Sequence, residues 1–80
     1  MKFIELTGKM LHKVITDHEV TAADLHKSGV DDETFVRINK QGDIEVRRRD
    51  RWDVIGGLIG DFEHRLQRVT HLTWAGDDEA

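Results

Sequence analysis

The 80-residue chain has no cysteine, no proline and no tyrosine, and Ser28 is its only serine. Without cysteine there is no disulfide framework and no thiolate metal site, which suits a reducing compartment. Without proline the loops lack a common stiffener. No apolar run approaches the roughly 20 residues needed to span a bilayer. The start of the chain, Met1 to Leu6, carries Glu5 and no long apolar stretch, so it does not read as a secretory signal. The expectation is a cytoplasmic protein with no membrane attachment.

What is present has the composition of a globular domain: 38% hydrophobic and 35% charged residues, with a net charge of −4. That balance argues against a general polyanion binder. The charge is unevenly spread, however. Arg47, Arg48, Arg49 and Arg51 cluster, Asp31, Asp32 and Glu33 form an acidic loop, and Asp77, Asp78 and Glu79 make an acidic end. Residues 1–76 read as one domain and 77–80 as a tail. A domain of this size buries only about 60–65% of its unfolded surface, so its core is thin and association is a natural way to gain stability.

Phe3 to Leu6 reads as a short strand with apolar residues on both faces. Met10 to Ile15 reads two ways. Folded back as a hairpin through Thr7-Gly8, it would mix charge into the apolar face. As a helix, Met10, Leu11, Val14 and Ile15 fall on one stripe capped by Thr7, and the short helix is the favoured reading. Thr21 and Asp24 form a capping-box signal, Val20 and Leu25 take the staple positions, and Gly29 ends a second short helix. Phe35 to Arg48 reads as a β-hairpin with Gly42 at the positive-φ position of its loop. Its register sets Ile38 opposite Ile44, Val36 opposite Val46, and Arg37 opposite Glu45 on the other face.

The last element is read as one long helix. Asp50 would cap it, and Trp52, Ile55, Ile59, Phe62, Leu66 and Val69 recur at steps of three and four. The predicted fold is therefore α+β: an N-terminal strand, two short helices, a hairpin, and a long amphipathic C-terminal helix on a three-stranded sheet. Ile4, Leu6, Val36, Ile38, Ile44, Val46, Ile55, Ile59, Phe62 and Leu66 would form the core, closed at one end by Leu11 and Leu25. Leu72 and Trp74 would pack back on the body.

Gly56, Gly57 and Gly60 sit awkwardly in such a helix. Each costs roughly 1 kcal/mol relative to alanine, about 3 kcal/mol together. Something should offset that loss. A strip without side chains lets another backbone approach closely, first this protein's own sheet and second a copy of the helix, with an unpartnered kink as the third reading. The three glycines are the candidate oligomer interface.

No constellation points to chemistry. The five histidines show no paired-ligand spacing, and His64 and His71 are about 10 Å apart along a helix, too far for one ion. Ser28 lacks a nucleophile-elbow pattern. Asp53, Asp61 and Glu63 have nothing local to separate their pKa values. Gly56 to Gly60 has neither the lysine–hydroxyl pair of a P-loop nor a dinucleotide fingerprint. No catalytic residue, metal or cofactor is expected.

The arginines raise nucleic acid as the alternative, since arginine suits phosphate and guanine. Against it, Arg37 faces Glu45, Asp50 sits among the others, and Phe35 could carry Arg47 across the hairpin. Val36 to Asp61 also resembles the swapped-hairpin DNA-binding domains of AbrB-type regulators in Lys40-Gln41-Gly42, Ile44, Val46, Arg51 and Gly60-Asp61. The departures are an arginine where that family has proline, a shifted glycine–aspartate pair, and a helical reading where strands should return. The chain is not placed in that family on these residues. The leading expectation is a protein-interaction module that binds itself or another protein through the C-terminal helix and a sheet edge. The alternative is a nucleic-acid-binding domain using Arg47, Arg48, Arg49 and Arg51.

Overall fold

The computed structural model describes residues 2–76. In order it has β1 (Lys2–Thr7), α1 (Gly8–Val14), α2 (Ala22–Lys27), β2 (Phe35–Asn39), β3 (Asp43–Arg47), β4 (Trp52–Gly57), α3 (Phe62–Thr70) and β5 (Ala75–Gly76). The strands form one antiparallel sheet in the order β4-β3-β2-β1-β5, four principal strands and a two-residue fifth. This is an α+β domain. The tail 77–80 and Met1 lie outside the described residues.

The local signals in the first half are realised as read. Thr7 accepts a hydrogen bond from Met10 N and opens α1. Thr21 and Asp24 close a full capping box, which holds the Asp24 carboxyl below its usual range through the Thr21 backbone and hydroxyl donors. Gly29 and Gly42 take φ of 81° and 91°. The hairpin pairs Val36 with Val46, Arg37 with Glu45 and Ile38 with Ile44. Its loop is locked by Asn39, whose side-chain oxygen accepts from Gln41 N and Asp43 N, both at 2.9 Å.

The core fills the space between one face of the sheet and the three helices. Ile4, Leu6, Val36, Ile38, Ile44 and Val46 come from the strands, Leu11 and Val14 from α1, Leu25 from α2 and Leu66 from α3. Alternation along each strand sends every second side chain into this layer.

The second half corrects the expectation. Residues 52–70 are not one helix on a three-stranded sheet. After Arg47 the chain turns tightly, with Arg48 N donating to Arg51 O at 2.7 Å, and returns as β4 beside β3. Asp50 lies in that turn and caps nothing; Asp53 lies in β4. Helix resumes only at Phe62 and lasts nine residues. The physical reason is the competition between a glycine-poisoned helix and an open hairpin edge. A helix through Gly56, Gly57 and Gly60 would lose about 3 kcal/mol in propensity. Pairing 52–57 with β3 satisfies backbone groups that would otherwise face solvent as an unprotected edge. The register slips by one residue between Ile44 and Glu45, leaving Ile55 as the extra residue of a bulge.

Core membership shifts accordingly. Ile59, expected inside, is 61% exposed, whereas Leu58 is buried. Ile55 and Phe62 only lean against the core, as Trp74 does. Leu72 stays exposed.

Candidate functional site

With the helices gathered on one face of the sheet, the other face is covered by no described element. Register places its side chains in rows. Across one end run Trp52 of β4, Arg47 of β3, Phe35 of β2 and Thr7 of β1. The middle row is Val54, Glu45, Arg37 and Glu5, and the far row is Gly57, Asp43, Asn39 and Phe3.

A diagonal stack braces this open face. The Arg37 guanidinium carbon lies 3.8 Å from the centroid of Phe3 and 4.1 Å from that of Trp52, so the cation is held between two rings. Its Nε donates to Glu45 Oε1 at 2.5 Å. Beside this neutralised centre stand two apolar side chains that nothing covers: Phe35, 62% exposed, and Val54, 55% exposed. A shallow concavity of about 220 Å³ adjoins the face between Phe3, Glu5, Leu72 and Thr73.

Of the four arginines nominated from sequence, Arg48 is engaged within the fold and the other three are exposed. Arg48 is structural: its Nε donates to Asp53 Oδ2 at 3.2 Å and its guanidinium to Ser28 O at 3.1 Å, tying the β3–β4 turn to the end of α2. Arg47 projects onto the open face and lies 5.8 Å from the Trp52 ring, rather than pairing with the Phe35 ring. Arg49 and Arg51 are exposed on the turn, and neither has an ion-pair partner among the described residues. At the same end of the sheet, on the β1–β2 side, lies the acidic loop 31–33. Asp31 is engaged there: it accepts from the Thr34 hydroxyl and from Glu33 N, which together hold its carboxyl below the usual range. Asp32 and Glu33 are exposed. With Asp31 they border a concavity shared with His12 and His26 on the helix side of the sheet.

The glycines also part company. Gly56 and Gly57 belong to β4, and Gly60 sits in the following loop with φ of 70°. The helical strip they were to form does not exist, so that version of the oligomer interface falls. The open face is not legible as a unit while Trp52 and Val54 are assigned to a helix. The alternation of Arg37 with Val36 and Ile38 was the signal that did point to it.

A wide concavity of about 590 Å³ lies between His12, His26 and the acidic loop. No group of three or more histidine or carboxylate side chains able to hold a metal ion occurs among the described residues. Among the described residues no helix is long and apolar enough to cross a membrane. No protein-family model, no curated protein and no solved structure matches this chain.

Proposed function

We propose that this chain is a non-catalytic protein-interaction module, and that the surface it offers a partner is the open face of the sheet. The observation that carries the reading is the pair of uncovered apolar side chains, Phe35 and Val54, on a face already braced by the Phe3–Arg37–Trp52 stack. A rigid, half-apolar sheet surface of this kind contributes aromatic and arginine contacts, the residue types that dominate binding energy at interfaces. Little ordering entropy is lost on docking, because Arg37 and both its rings are already fixed.

Nucleic-acid binding is the second reading, motivated by Arg47, Arg49 and Arg51. It is weakened by the engagement of Arg48 and by the acidic loop beside Phe35, which would repel a phosphate chain. One experiment separates the two. The protein and a Phe35→Ser, Val54→Ser variant are used to capture partners from native lysate, and retained protein and nucleic acid are both identified. Proteins retained by the wild type and lost by the variant support the reading. Retention of nucleic acid alone, falling steeply with salt, transfers the function to the arginines.

A further inference from the structure

We draw no further inference here: the strongest candidate, the uncovered face of the sheet around Phe35 and Val54, belongs to the site already described, and nothing in the structure shows what covers it.

Discussion

Replacing Glu19 by glutamine should cost this domain about 2–3 kcal/mol at neutral pH. The side chain of Glu19 is wholly shielded from solvent and receives three donors. Its Oε1 accepts from Thr16 N at 3.0 Å, and its Oε2 accepts from Ile59 N at 2.8 Å and from the Arg65 guanidinium at 2.6 Å. One carboxylate thus ties the loop before α2 to the β4–α3 loop and to α3. Burial alone would raise its pKa. The hydrogen bonds from Ile59, Arg65 and Thr16, with the Arg65 charge, outweigh that and hold the carboxyl below its ordinary value of 4.5. A glutamine keeps the shape but turns one acceptor into a donor that must face a donor. Losing charge-assisted bonds and leaving a buried donor unmet costs about 1–3 kcal/mol each. Arg65, at 24% accessible, recovers part of this from water.

The pH dependence gives the sign. A group whose folded-state pKa is depressed contributes stability above its unfolded value, and that stability is lost as pH falls through the folded value. Urea unfolding of wild type and Glu19→Gln at pH 7 should therefore differ by about 2–3 kcal/mol, a Tm gap of about 10–20 °C for a domain this size. Below about pH 4 the gap should narrow, because only the wild type has a titratable side chain at position 19. A difference under about 0.5 kcal/mol at pH 7, or one that does not change with pH, would refute the clip as described.

Three further substitutions follow from the geometry. A Cβ at Gly8 would fall 1.9 Å from Asp31 O, so Gly8→Ala must break the Gly8 N to Thr34 O and Lys9 N to Asp32 O bonds. It should cost about 3 kcal/mol or more by thermal unfolding, with loss of a cooperative transition as its extreme. Gly60→Ala should destabilise by about 1–2 kcal/mol, because the φ of 70° disfavours any side chain although the space around it is open. Were those residues helical, the same change would stabilise by about 1 kcal/mol, so the sign in denaturant decides between the two structures. Arg37→Ala should cost about 1–3 kcal/mol by removing the cation from between Phe3 and Trp52 and leaving Glu45 half-buried without its partner. Tryptophan emission should move to the red as Trp52 gains water; an unchanged spectrum would contradict the stack.

What was legible in the sequence was what neighbours in sequence decide. The Thr21–Asp24 capping box, Gly29, the Thr7 cap and the Asn39–Gly42 loop involve residues within a few positions of one another. The hairpin register followed because only one pairing set Arg37 against Glu45 and kept Val36 and Ile38 together. From Trp52 onward the spacing of apolar residues misled. Steps of three and four are shared by a helix and by a bulged strand followed by a loop and a shorter helix, and only Phe62, Leu66 and Val69 of the proposed seam are helical and turned to the core. The Glu19–Arg65 pair spans 46 residues and has no periodic signature at all. The open face needed the partner strand β4 before its rows could be assembled.

The glycines mark where sequence reasoning detected a conflict and resolved it the wrong way. The propensity loss at Gly56, Gly57 and Gly60 is a reason to break the helix rather than to seek a partner for it. The structure disperses the three. Gly60 answers to a backbone turn, whereas Gly56 and Gly57 stand in ordinary van der Waals space that would admit a methyl group. In a strand, glycine weakens pairing and leaves the surface bare. Gly56 and Gly57 both follow directly on the bulge at Ile55, and Gly57 is the last residue of β4, places where strand glycines commonly occur.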